Sequence, residues 1–378
     1  MGATNIFLVS GERSGDLHSE ELLRALEQLP EAKELSFHGL GGSHLKGRFG
    51  DGFEDWVEEA AVIGITEVLK KYGWFKKKFA ETLARIEDLS PAAVILVDYP
   101  GFNLRLAKAL RKSGYQGKIC YYISPQVWAW NQGRIPKMAK LLDLMLCVFE
   151  FEKGLYENSG LRTEWVGHPM VEELEERRLE IPRQQNLVGL FPGSRGREVR
   201  SLLPVMLEAA EIVANDHPET RFELAVASER IMEITREILS NSSLGDRLEY
   251  RVGESHRLMQ EAQVACIASG TASLEAGFYG LPYALVYKVS QLTYTIAKMV
   301  VKIPYIGMVN ILADKPVVKE FIQAQATPKN VAGEINKLLT DDHYRESMQS
   351  ELEKVKEMLG GGGAHEKAAK AIAESLSL

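Results

Sequence analysis

Cysteine is nearly absent. Cys120, Cys147 and Cys266 are the only three among 378 residues, with no CxxC and no histidine beside them. That scarcity excludes a disulfide framework, argues against a zinc site and points to a reducing compartment. No run reaches the roughly 18 apolar residues of a membrane span, because the richest stretch, 265–287, is interrupted by Glu275, Pro282 and several glycines. The first residues carry no basic leader followed by an apolar core and a cleavage site, so export is not expected. A formal net charge of -7 argues against general nucleic-acid binding. GxxxxGK[ST] is missing, SGERSGD (10–16) is not GxGxxG, and no Asp-x-Asp metal motif occurs. ATP-type chemistry, dinucleotide chemistry and a carboxylate-bound metal are thereby disfavoured.

What is present is an alternation of short apolar runs with longer amphipathic ones. IFLVS (6–10), AAVILVD (92–98), KICYYIS (118–124) and LMLCVFEF (144–151) read as strands, with helices over 15–29 and around 104–112. The pattern restarts with NLVGLF (186–191), a helix from about 197 to 215, RFELAVA (221–227), a helix over 231–239, RLEYRVG (247–253), QVACIA (263–268) and PYALVYK (282–288). Such alternation predicts parallel sheets with crossover helices, and strands buried on both faces should be apolar throughout, as AAVILV is. Between the halves lies the charged, proline-containing stretch 166–185. We therefore expect two Rossmann-like α/β domains facing across a cleft: 1–168, completed by a last helix at about 364–378, and 186–355. Ligands of such pairs bind at the carboxyl ends of the strands.

Six loops, most of them at strand exits, carry candidate chemistry. FPGSRGREV sets Gly193, Ser194, Arg195 and Gly196 where backbone N–H groups, a helix N-terminus and a guanidinium suit a diphosphate; the plainer reading is a tight turn with a solvent-facing arginine. IASGTASLEAG offers Ser269, Gly270 and Thr271 at a turn and Glu275 one helical turn later, placed either to accept ribose hydroxyls or merely to favour the helix start. Asp98 ends its strand where catalytic acids collect and serves either as a general base or as a turn cap. SGERSGD presents Glu12, Ser14, Gly15 and Asp16, suited to a polar acceptor or a sugar, or to capping the helix that follows. SPQVWAW adds Gln126, Trp128 and Trp130, whose rings suit sugar stacking or packing between domains, and VGHPM adds His168, a hinge residue or a catalytic one.

Two stretches suggest contact with lipid. In VIGITEVLKKYGWFKKKF (62–79), Val68, Tyr72, Phe75 and Phe79 share a helical face and five lysines fall between Lys70 and Lys78. Residues 276–313 contain no Asp or Glu but carry Lys288, Lys298 and Lys302. An apolar and basic surface favours an anionic membrane, so Val62, Ile63, Ile65, Leu69, Trp74 and Phe75 are expected to face it; the alternative is an ordinary core-packed helix with a wet basic side.

With SGERSGD, VIGITEVL, VDYPGFN, YYISPQVWAW, VGHPM, LFPGSRGREV, ASGTASLEA and VNILADKPVVKEFIQ in order, the chain resembles the lipid-A-disaccharide synthase family nearly end to end. The resemblance implies a GT-B glycosyltransferase architecture with the acceptor in the first domain and UDP in the second. It also implies inverting, metal-independent and cofactor-free transfer of 2,3-diacylglucosamine from UDP to the 6-hydroxyl of 2,3-diacylglucosamine 1-phosphate. By the same resemblance Asp98 is the base and Arg195 the diphosphate ligand, and Ser194, Thr271 and Glu275 fall on UDP-site motifs. Asn310 matches a position that a partner subunit can supply in a C-terminally swapped homodimer. The protein would work on the cytoplasmic face of the inner membrane. Arg13 and Met308-Val309-Asn310 stand where the family often has Thr and Leu-Pro-Asn. The alternatives are another UDP-sugar enzyme of this fold, such as a 2-epimerase, and a two-lobed solute-binding protein without catalysis.

Overall fold

A computed structural model describes residues 4–30, 34–60, 71–240, 242–300 and 303–377. The chain divides into two compact units, Met1–Pro169 with Leu359–Leu378, and Met170–Met358. Relative to the expected boundaries, the first crossing lies at Pro169/Met170, within VGHPM, and residues 170–185 join the second unit. Met170–Glu176 there is helical.

In the first unit β1 (Thr4–Ser10), β2 (Leu35–Gly41), β3 (Phe53–Asp55), β4 (Ala93–Val97), β5 (Lys118–Tyr122), β6 (Leu144–Cys147) and β7 (Thr163–Trp165) form a parallel sheet in the order β3-β2-β1-β4-β5-β6-β7. Both faces are covered. Phe7, Val9, Val94 and Leu96 enter one cluster with Trp56 and Phe102, while Ile6, Leu8, Ile95 and Val97 enter another with Leu22, Leu23 and Leu26. This two-sided burial is why the strands read as continuous apolar runs. The final helix, Ala364–Leu376, lays Ala368, Ala369 and Ile372 onto the second cluster, so the chain end completes the first core. Its small residues let it lie close to the helix Arg13–Glu27.

The second unit holds β8 (Gln184–Phe191), β9 (Arg221–Val226), β10 (Leu248–Val252), β11 (Ala262–Ala268), β12 (Tyr283–Tyr287) and β13 (Lys319–Ile322), again parallel, in the order β10-β9-β8-β11-β12-β13. In each sheet the chain leaves its first strand to one side and returns to pair on the other. Switch points therefore fall between β1 and β4 and between β8 and β11, the places where open α/β sheets bind ligands.

The strands β2, β3, β7 and β13 do not stand out in the sequence. β3 and β7 have three residues each, β13 (KEFI) is half charged, and β2 carries two glycines. One of these, Gly39, has φ 157° and leaves no space for a Cβ, which would lie 1.9 Å from the Leu8 carbonyl oxygen. LMLCVFEF is shorter as a strand than it reads. β6 stops at Cys147, and a helix begins at Glu150 because the Glu152 carboxylate accepts the Phe149 N–H at 3.1 Å.

Candidate active site

The β8 exit runs through Pro192-Gly193-Ser194-Arg195 into the helix Gly196–Asp216. Gly193 takes φ 102°, a left-handed conformation that favours glycine, and a Cβ there would displace the end of the Glu198 side chain, 2.6 Å away. Arg195 is the N-cap residue, and among the described residues no side chain caps this helix or accepts its first N–H groups. The exposed Arg195 guanidinium donates to Glu198 Oε1 at 3.0 Å. An exposed pair of this kind is worth about 0–1 kcal/mol, so an arriving anion displaces the glutamate at little cost.

At the β11 exit Ser269 donates its N–H to the Val286 carbonyl at 3.0 Å. Gly270 turns with φ 158° into the helix Thr271–Phe278, which also lacks a side-chain cap. Ser273 Oγ donates to the Gly270 carbonyl at 2.7 Å instead of taking a ligand. Glu275 is half-buried, and burial, reinforced by the Glu173 carboxylate and opposed by Arg177, raises it to about 7. Among the described residues no side-chain or backbone donor is bonded to its carboxylate. Glu173 and Arg177, which tune it, lie far away in sequence and carry no local motif.

Across the first unit's switch point Asp98 follows β4 with φ 45°, and Tyr99 follows with φ 47°. The Asp98 carboxyl is raised to about 6, by burial first and then by the Glu12 carboxylate, against the Tyr99 N–H that bonds it. Glu12 and Ser14 are exposed at the neighbouring β1 exit, and Gly15 is buried, its Cβ position 3.5 Å from Ser10 Cβ. The two loops meet because Ser10 and Val97 are register partners.

Several expected site residues are otherwise engaged. Asp16 is 2% exposed, and its carboxylate accepts the N–H groups of Gly42 (2.6 Å) and His44 (2.9 Å), capping the helix Ser43–Phe49 rather than facing a sugar or capping its own helix. Trp128 is buried and donates Nε1 to Glu152 at 2.9 Å, so its face is not open for stacking; Gln126 and Trp130 are exposed. His168 packs its ring 5.4 Å from Phe149 and donates its N–H to the Leu359 carbonyl at 2.7 Å. Burial and the nearby His18 hold its imidazole down to about 3, so it is neutral near pH 7. Asn310 is wholly buried: Nδ2 donates to the Val318 carbonyl (2.8 Å) and to Glu320 (2.9 Å), and Oδ1 accepts the Val318 N–H (2.9 Å). Its amide holds the 307–320 segment together within this chain.

The lipid-facing expectation divides. Val62, Ile63, Ile65 and Leu69 lie outside the described residues. Trp74 and Phe75 are half-buried against the first core, Trp74 stacking on Trp56 at 6.0 Å, and Phe79 packs on Phe102 at 5.5 Å. Their spacing is that of an ordinary packed helix. Tyr72 alone of that aromatic set is largely exposed, at 60%. Among the described residues no helix is long and apolar enough to cross a membrane, and no group of three or more His, Cys, Asp or Glu is arranged to hold a metal ion.

Two parallel α/β units with loops of this chemistry at both switch points define the GT-B class, shared by nucleotide-sugar epimerases and glycosyltransferases. Solved structures agree at the level of the fold: an S. aureus MnaA–UDP co-structure aligns with TM-score 0.64 at 13% identity, covering 99% of this chain and 97% of that one. The calicheamicin glycosyltransferase CalG4 aligns with TM-score 0.57 at 12% identity, covering 100% and 99%. The family of lipid-A-disaccharide synthetases matches residues 6–374, and the chain belongs to it. A lipid-A-disaccharide synthase from Trichlorobacter lovleyi is 39% identical over 374 residues, 95% of this chain and 94% of that protein. Another, from Geobacter metallireducens, is 37% identical over 383 residues, 98% and 97%. The protein is accordingly a glycosyltransferase that uses a UDP-sugar donor and an acceptor.

Proposed function

We propose that the protein joins two acylated glucosamines. The 6-hydroxyl oxygen of 2,3-diacylglucosamine 1-phosphate attacks the anomeric carbon of UDP-2,3-diacylglucosamine from the face opposite UDP. As the new carbon–oxygen bond forms, the bond to the UDP oxygen breaks, the hydroxyl proton passes to Asp98, and a β-1,6 disaccharide 1-phosphate is left. The observation that carries the reading is the Asp98 carboxyl itself. Raised to about 6, it is ionised near pH 7 yet more basic than an ordinary aspartate, as a general base requires. Charge growing on the departing diphosphate is met by Arg195 and by the N–H groups at the starts of Gly196–Asp216 and Thr271–Phe278. Glu275 accepts the ribose hydroxyls. With the guanidinium and helix ends in that role the transfer needs no metal or other cofactor.

Mixing the two acylated substrates should release UDP and yield the disaccharide at a rate unaffected by a chelator. Loss of turnover on chelation, or 2-epimerised UDP-sugar as the sole product, would overturn the reading.

The substrates are lipids, which supports action at the cytoplasmic face of the inner membrane. The basic residues Lys71, Lys76 and Lys77, flanking the exposed Tyr72, and the apolar 62–69 stretch make the contact. Polar replacement of Val62, Ile63, Ile65 and Leu69 together should reduce cosedimentation with anionic vesicles while leaving thermal stability near that of the parent. Undiminished cosedimentation would count against this surface. In a homodimer formed by C-terminal exchange, the helix Ala364–Leu376 would complete the first core of the partner instead of its own.

A further inference from the structure

Left-handed backbone is unfavourable for any residue with a Cβ, and two such residues in succession persist only where their surroundings over-determine them. Asp98 and Tyr99 are such a pair, and glycine at either place would have adopted the turn without help. The help is concentrated on one atom. The Asp98 carbonyl oxygen accepts the Asn103 Nδ2–H at 2.8 Å and the Tyr121 hydroxyl at 2.5 Å, both from fully buried side chains. Asn103 Nδ2 also reaches the Val97 carbonyl at 3.1 Å, and the Asp98 N–H donates to the Tyr122 carbonyl at 3.0 Å. Beyond the turn, the Phe102 and Asn103 N–H groups both converge on the Tyr99 carbonyl, at 3.2 and 3.1 Å. The Tyr99 ring lies over Gly11, where a Cβ would come 2.4 Å from the ring, and its hydroxyl donates to the Ala60 carbonyl at 3.0 Å.

We propose that Asn103 and Tyr121 are positioning residues for the transfer: by gripping the Asp98 carbonyl they fix the left-handed turn and hence the direction of the Asp98 carboxylate. The inference rests on Asp98 being the base. Neither residue reaches solvent, so each acts through Asp98.

Tyr121→Phe removes one hydroxyl and keeps the packed ring. Steady-state UDP release should show kcat reduced by up to about 100-fold, the scale of a misplaced catalytic group, with KM for both substrates within about twofold. The acid limb of the pH–rate profile should move from near 6 toward the ordinary aspartate range as the carboxylate gains water. Asn103→Leu, checked for folding by its thermal midpoint, should act in the same direction. In an Asp98→Asn background Tyr121→Phe should cost nothing further, since there is then no carboxylate to aim. If Asp98→Asn alone keeps full turnover, the base assignment fails and the positioning claim with it. If Asp98→Asn cripples the enzyme while Tyr121→Phe leaves kcat and the acid limb unmoved, or lowers both backgrounds equally, only the positioning claim is overturned.

Discussion

Asp98→Asn is expected to lower kcat/KM by about 10²- to 10⁴-fold, the range contributed by a well-placed general base. The protein should at the same time become more stable at neutral pH. Burial and the Glu12 carboxylate raise the Asp98 carboxyl from 3.8 in the unfolded chain to about 6 in the fold. A raised carboxyl stabilises the fold while it is protonated: the contribution is complete below pH 3.8 and is lost as pH rises through 6. A shift of about two pH units corresponds to roughly 3 kcal/mol. Asparagine never ionises, so the variant should unfold at higher temperature than the parent above pH 6, and the difference should close near pH 4. Activity of the parent follows the opposite sense, falling as pH drops through about 6 because the base is then protonated. Calorimetry and initial rates across pH 4–9 test both halves. An unchanged rate in the variant removes Asp98 from the chemistry, and an unchanged thermal midpoint at pH 8 refutes the buried, destabilised carboxylate.

Arg195→Ala is expected to reduce turnover by roughly 10²- to 10³-fold, about 3–4 kcal/mol of transition-state stabilisation, as for other preorganised donors aimed at a developing negative charge. Folding should scarcely change. Arg195 is exposed, its one side-chain partner among the described residues is the surface carboxylate of Glu198, and it packs into neither core. The lost rate should therefore appear with an unaltered thermal midpoint. Arg195→Lys should fall between parent and alanine, since lysine keeps the charge but not the planar fork that bonds two phosphate oxygens at once. A near-normal rate in the alanine variant would remove the guanidinium from the donor site and leave the leaving group to the helix ends alone.

Much of this was legible along the chain. Apolar runs marked the central strands because parallel strands covered on both faces have no wet side to encode. The turns after β4, β8 and β11 were legible as turns because glycine, serine and charge cluster at these strand exits, although the same residues equally suit tight turns and helix starts. Even Asn103 left a trace. It occupies the buried stripe Phe102, Asn103, Leu106, Ala107, Leu110, and a polar residue on that stripe must find partners.

Elsewhere the same residue types misled. Asp16 and Asn310 carry the donors and acceptors that a ligand would use, but neighbouring backbone groups reached them first. Trp74 and Phe75 have the spacing of a membrane-facing stripe and equally that of a core-facing one, and periodicity cannot say which side of a helix is wet.

By itself the sequence determined the class of fold and the loops in which the chemistry lies, because these depend on local pattern: the period of apolar residues, and glycine or charge at the ends of strands; the family and the reaction came from the resemblance of its ordered motifs. Tertiary structure alone decided which candidates remain available. Whether a carboxylate caps a helix, as Asp16 does, or stands desolvated with a raised pKa, as Asp98 and Glu275 do, depends on neighbours brought together from distant parts of the chain. Desolvation and hydrogen bonding act through distance in space, and that is set only when the sheets have formed.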